Sequence, residues 1–205
     1  MATIDRSPPL LPPGRILLTL VALMTSTACY IADWNESHIY NHTWPGHAKF
    51  HNGQTMSMGL LLGVAALYYI YREPLRVDLP PPAPSSSSST ATTTTTTVKA
   101  QALSPPSTTP SAIADPHTLT HLQHLRKTAA LANLNTVALL NSLYWITQLS
   151  AHWYPQVTAF DPVPGSARFG EHQDPHLQKK LDVSFFAVTA AGWWLERRRI
   201  GRGDF

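Results

Sequence analysis

The 205-residue sequence contains ten histidines, and they are unevenly placed. His38, His42, His47 and His51 lie with Asp33 and Glu36 in the stretch DWNESHIYNHTWPGHAKFHNGQ. A second group, Asp161, Glu171, His172, Asp174 and His176, follows His152 near the C-terminal end, and only His117, His121 and His124 fall elsewhere. Imidazole titrates near neutral pH, so it can take and return a proton, and a neighbouring carboxylate can orient the ring and stabilise its charged form. His38, His47 and His51 are therefore the acid/base candidates, with Asp33 and Glu36 as orienting or charge-stabilising partners. The alternative for such loops is structural, since His, Trp and Asn also anchor helix ends at a membrane surface.

The spacings His38-x3-His42, His47-x3-His51 and His172-x3-His176 would each place two rings on one helix face, as metal ligands require. Pro45-Gly46 interrupts the first two pairs, so at most one of them rides on a continuous helix. The His-x-x-His-His box of membrane di-iron enzymes is absent. This reading assigns no metal and no cofactor. Cys29, the single cysteine, lies in an apolar run, where burial suppresses the thiolate, and no intrachain disulfide can form. There is no Gly-x-Ser-x-Gly elbow and no phosphate loop. Arg202-Gly203-Asp204 matches an adhesion tripeptide and is read as chance. The net charge is +3 and the pI about 9.1, but the basic residues flank apolar runs rather than line a face with stacking aromatics, so nucleic acid is excluded as a partner.

The elements that must carry these residues are four apolar runs. Ile16–Ala32 holds no charge and would span roughly 25 Å as a helix, near the lower limit for crossing a bilayer. A cleaved signal peptide is its competing reading, given the small residues Ser26-Thr27-Ala28. Met56–Tyr71 carries Gly59 and Gly63, a small-xxx-small spacing that admits another helix backbone. Thr128–Ser150 follows Arg126-Lys127. On a helix its Asn133, Asn141 and Gln148 fall within about 80° of one another, as interhelical glue or as the wall of a polar pocket. In the second sense Asn141, Gln148 and the loop residue Trp44 are the substrate-binding candidates. Leu181–Leu195 is short for a span unless Asp182 lies at the membrane surface. Charged residues make up 13% of the chain, about half the usual soluble share, while the mean hydropathy of -0.11 is diluted by a polar tract. The fold class expected is all-α, a four-helix transmembrane bundle.

A cytosolic N-terminus and four crossings put eleven of the fifteen Lys and Arg residues in the cytosol and only Lys49, Arg168, Lys179 and Lys180 opposite. Both termini are then cytosolic, and the His- and acid-rich loops share the other side with two glycosylation sequons, Asn35-Glu36-Ser37 and Asn41-His42-Thr43. Four regions result: a disordered tail over 1–14, helices 1 and 2 with the His-rich loop over 15–78, a disordered Pro/Ser/Thr-rich linker over 79–120, and helices 3 and 4 with a basic tail over 121–205. The linker composition cannot bury enough apolar surface to offset its chain entropy. The endoplasmic reticulum is the expected membrane.

The run Asp33-Trp34-Asn35-Glu36-Ser37-His38-Ile39-Tyr40-Asn41, continued by Trp44-Pro45-Gly46-His47-Ala48-Lys49-Phe50-His51, resembles a family of small, uncharacterised fungal multi-pass membrane proteins. They carry a DWNxxHxxN...WPxHAxFH pattern after the first helix. At the position the pattern leaves open, Gly46 stands where Pro is expected. The resemblance covers both loops and the four helices but not the Ser/Thr tract. It implies the multi-pass topology. Some members are labelled acetyltransferase and others resemble genes near natural-product pathways; the chain has no acyl-CoA-binding or membrane O-acyltransferase motif. The function expected is that of an accessory enzyme acting on a lipophilic small molecule by proton transfer, as an isomerase or cyclase does. The alternative is a non-catalytic scaffold or lipid-binding protein, with a second copy or partner helices packed on Gly59 and Gly63. The lipid bilayer is a partner in either case.

Overall fold

The structure is a computed structural model and describes residues 11–72, 116–159, 174 and 176–203. The N-terminal ten residues, most of the Pro/Ser/Thr tract and the loop candidates Asp161, Glu171 and His172 lie outside the described residues. Four helices and no strand are present among the described residues: α1 (Pro13–Asp33), α2 (Gly46–Tyr71), α3 (Pro116–Ala151) and α4 (Leu177–Gly201). The chain divides into two compact units, 1–75 with 126–205, and 76–125. The packed helices belong to the first; of the second, residues 116–125 are described and form the opening turns of α3.

Each helix outruns its apolar stretch. Proline at the first turn, where its missing N–H costs nothing, starts α1 at Pro13 and α3 at Pro116. Residues 116–120, assigned to the linker on composition, are therefore helical. Pro45 precedes α2, which gains a polar first stretch carrying His47 and His51. Asp174 caps α4, accepting the His176 N–H at 2.9 Å through Oδ1 and the Leu177 N–H at 3.0 Å through its carbonyl. The Lys180 ammonium, bonded to its carboxylate, holds Asp174 below the usual carboxylate range.

Helix α1 is the hub, and small residues let its neighbours come close. A Cβ at Gly59 would lie 2.8 Å from Cys29 Sγ and 2.9 Å from the Thr25 carbonyl, and one at Gly63 would collide with the Ala22 carbonyl. Gly14 and Gly192 make the same close approach between α1 and α4. Thr19 and Ser26 return their hydroxyls to carbonyls four residues back at 2.8 Å, which satisfies them within the helix. From α3, Asn141 Nδ2 donates to the Leu18 carbonyl and Trp145 Nε1 to Thr25 Oγ1, both at 3.0 Å.

Beside an apolar core that includes Leu18, Val21, Met56 and Val137, several polar groups are buried and many large apolar ones are exposed. Thr25, Ser26, Asn141, Thr189 and Glu196 are buried, while Leu20, Leu61, Val64, Leu139, Ile146 and Phe186 are exposed. Two helices, α1 and α2, are long and apolar enough to cross a membrane.

Candidate functional site

Residues 34–45 join α1 to α2 through two turns of the same design. Asn35 Oδ1 accepts the Ser37 N–H at 2.9 Å and the Ser37 hydroxyl at 2.6 Å; Asn41 Oδ1 accepts the same pair from Thr43 at 2.9 and 2.7 Å. Side-chain carbonyls that replace a backbone acceptor two residues on are a recurrent way of fixing a turn. The Asn amides donate in turn to the Ala32 and Ser37 carbonyls. This lattice holds the next residue, His38.

His38 is gripped from both sides. Its Nδ1 lies 2.7 Å from Ser37 Oγ. Because the Ser37 hydrogen already points at Asn35, Nδ1 must be the donor, which leaves the lone pair on Nε2 in the neutral ring. That Nε2 stands 3.8 Å from Asp33 Oδ1, beyond a hydrogen bond but within ion-pair range once the ring is charged. Asp33, at the end of α1, has a side chain only 19% exposed, and its other oxygen accepts from Asn52 Nδ2 of α2 at 2.9 Å. The Trp44 ring meets the imidazole edge-on at 5.1 Å. Asp33, His38 and Trp44 thus come together, and Asn52, which no sequence signal marked, joins them.

The other predicted residues do not join this group. His47 and His51 are exposed on the first turns of α2 and bond to each other instead, Nε2 to Nε2 at 3.0 Å. Glu36 is exposed and makes no hydrogen bond or ion pair among the described residues. Asn141 is fully buried against α1, its Oδ1 without a partner. Gln148 Oε1 is likewise buried and unpartnered.

Other buried polar atoms share this lack of a partner. Asn52 Oδ1, His152 Nε2 and both oxygens of Asp182 are buried with no hydrogen-bond partner among the described residues. Asp182 is 1% exposed, so its carboxylate is buried against the other helices. Tyr144 packs with Cys29, Met56 and Trp145, and it stands within electrostatic reach of both Asp33 and Asp182. Asp182 is thus one of several buried polar groups, most of them acceptors, on α2, on and just after α3, and on α4. A carboxylate interrupting the fourth apolar run was the signal available for it.

Residues 17–118 match a family of unknown function (DUF6640). The matched stretch takes in α1 beyond its first turn, the turn lattice, α2 and the start of α3, hence Asp33, His38, Trp44 and Asn52. Asn141, Gln148 and Asp182 lie beyond it. No curated protein and no solved structure matches the chain. The DUF6640 match names neither an organism nor an activity.

Proposed function

We propose that the chain is a four-span membrane protein that rearranges a lipophilic small molecule by proton transfer, with His38 as the proton-transferring base and Asp33 as its charge partner. The observation that carries this reading is the grip on His38: Nδ1 is held 2.7 Å from Ser37 Oγ, and Nε2 stands 3.8 Å from an Asp33 oxygen that can stabilise an imidazolium. In such a reaction Nε2 accepts a proton from the substrate, Asp33 offsets the new positive charge, and the same proton returns at another atom, so the substrate is isomerised with no net change in the protein. Asn52 keeps Asp33 in place, and Trp44 supplies an apolar wall beside the reacting ring.

The membrane part of the proposal draws support from the large apolar side chains exposed on the helices. A helix surface of Leu, Val, Ile and Phe with Thr, Ser and Asn turned inward suits hydrocarbon as solvent, because water offers no drive to bury the large side chains there. α1 and α2 meet the length and hydropathy of a span by themselves. For α3 and α4, inward-facing Asn141, Asp182 and Glu196 lower the average without exposing charge to lipid, since all three are buried. The bias of Lys and Arg puts both termini in the cytosol and the Asp33–His38 end opposite, with the endoplasmic reticulum as the default membrane.

The rival scaffold reading depends on Gly59 and Gly63 as a surface for partner helices. Both glycines are buried against α1 of the same chain, which favours the enzymatic reading over that one.

The test is metabolite profiling of cells carrying His38→Ala, Asp33→Asn or His47→Ala at matched protein level. His38→Ala is expected to abolish product. Asp33→Asn should reduce it by about 10²–10⁴-fold, the span typical of acid/base assistance. His47→Ala should leave it intact. Unchanged metabolites in His38→Ala would remove the proposal.

A further inference from the structure

The exposed pair on α2 has the geometry of an empty chelate. His47 and His51 are one helical turn apart, and their Nε2 atoms converge to 3.0 Å. Metal–imidazole bonds of about 2.0–2.1 Å, meeting at angles between square and tetrahedral, separate two donor nitrogens by about 2.9–3.4 Å. The pair already stands at that separation, with no backbone movement required. Tautomer matters as much as distance. His51 Nδ1 lies 3.3 Å from Gln54 Oε1, an acceptor, so Nδ1 carries the hydrogen and Nε2 presents its lone pair. That lone pair accepts from His47 Nε2–H, and for His47 Nε2 to ligate, this proton shifts to His47 Nδ1 by way of solvent, so that the ring stays a neutral imidazole.

We propose that His47 and His51 bind one late first-row divalent ion, Cu²⁺ most tightly and Zn²⁺ or Ni²⁺ less so, through their Nε2 atoms, with Gln54 holding the His51 ring in register. Imidazole ligands suit these ions, and the affinity order follows their general stability series. Among the described residues no group of three or more His, Cys, Asp or Glu side chains converges, so the proposed site takes two protein ligands from them. Two protein ligands on an exposed helix face make a labile site that exchanges metal, unlike a closed structural one. The site is separate from the Asp33–His38 pair and does not depend on its chemistry.

The full-length chain, purified in detergent without a polyhistidine tag, is titrated with Cu²⁺. The expected result is one exchangeable equivalent per chain, bound ahead of any other, whose electron paramagnetic resonance spectrum shows two coupled nitrogens. His47→Ala or His51→Ala should weaken it at least tenfold, and Gln54→Leu roughly tenfold, the effect of losing an orienting partner. His117→Ala with His121→Ala, the control pair with the same spacing on α3, should leave it unchanged. All these side chains are exposed, so the variants keep the fold, which circular dichroism verifies. A first equivalent that survives the His47→Ala/His51→Ala double variant, or that vanishes with His117→Ala/His121→Ala, would overturn the assignment.

Discussion

Asn35 and Asn41 show how one residue pattern can serve two ends. In each Asn-x-Ser/Thr triplet the hydroxyl and N–H two residues on both bond to the Asn side-chain carbonyl. The amide nitrogen that would carry a glycan donates to a backbone carbonyl, and both asparagines are buried. A sugar on either nitrogen would break the lattice that aims His38. Both sequons are therefore expected to stay unmodified in the folded protein, and endoglycosidase treatment should leave the electrophoretic mobility unchanged; a shift would show that the turn does not form. Asn35→Gln should lower stability by about 1–3 kcal/mol, because the longer side chain leaves buried partners unpaired; the midpoint of unfolding in detergent reads it. Legibility at this scale was partial. Asp33, His38 and Trp44 are visible as residue types in one loop, but the sequence cannot say that His47 turns away from them, since four residues of spacing fix a helix face and not its direction. Asn52 was invisible because a lone Asn in a helix carries no signal until its partner is known.

Packing between elements rests on backbone approach, and two glycines of α2 separate that effect from helix propensity. At Gly63 an added Cβ runs into the Ala22 carbonyl and the Ser26 side chain of α1, whereas at Gly53 it meets nothing within 4 Å. Gly63→Ala should therefore cost about 1–3 kcal/mol through overpacking. Gly53→Ala should stabilise by about 0.5–1 kcal/mol, because alanine loses less chain entropy in a helix. Thermal unfolding in detergent distinguishes them by sign, and equal effects would deny the close α1–α2 contact. The Gly59–Gly63 spacing announced a packing face, while the identity of the partner, α1 of the same chain, needed the fold. The helices were legible as apolar runs, but their ends were not. Such runs report the stretch that avoids water, and backbone hydrogen bonding continues past it: α2 starts at Gly46 rather than Met56, and α3 at Pro116 rather than Thr128. Their opening turns are rich in His, Gln, Asn and Thr, which hydropathy does not register.

For the molecule as a whole, the mean hydropathy of -0.11 suggests a soluble chain, and the distribution of side chains argues the reverse. Large apolar groups on all four helices face outward, Leu20 and Ile16 on α1, Leu61 and Val64 on α2, Leu139 and Ile146 on α3, Val183 and Phe186 on α4. Buried in their place are Thr25, Asn141, Asp182 and Glu196, the last paired with Arg199 at 2.8 Å. In water this arrangement would leave much large apolar surface exposed; in hydrocarbon it places that surface against a solvent that suits it. If that holds, the two ends of α2 lie on opposite faces of a membrane. Cys29 is buried, so it serves as a silent background for single introduced thiols. In sealed, right-side-out endoplasmic-reticulum vesicles, Arg72→Cys should react with a membrane-impermeant maleimide at once, and Lys49→Cys only after the vesicles are opened. Arg197→Cys, on the last turns of α4, should behave like Arg72→Cys, since an even number of crossings returns the chain to its starting side. Reaction of Lys49→Cys and Arg72→Cys from the same face would mean that α2 does not cross, and the outward apolar surface would then have to be covered by protein instead of lipid.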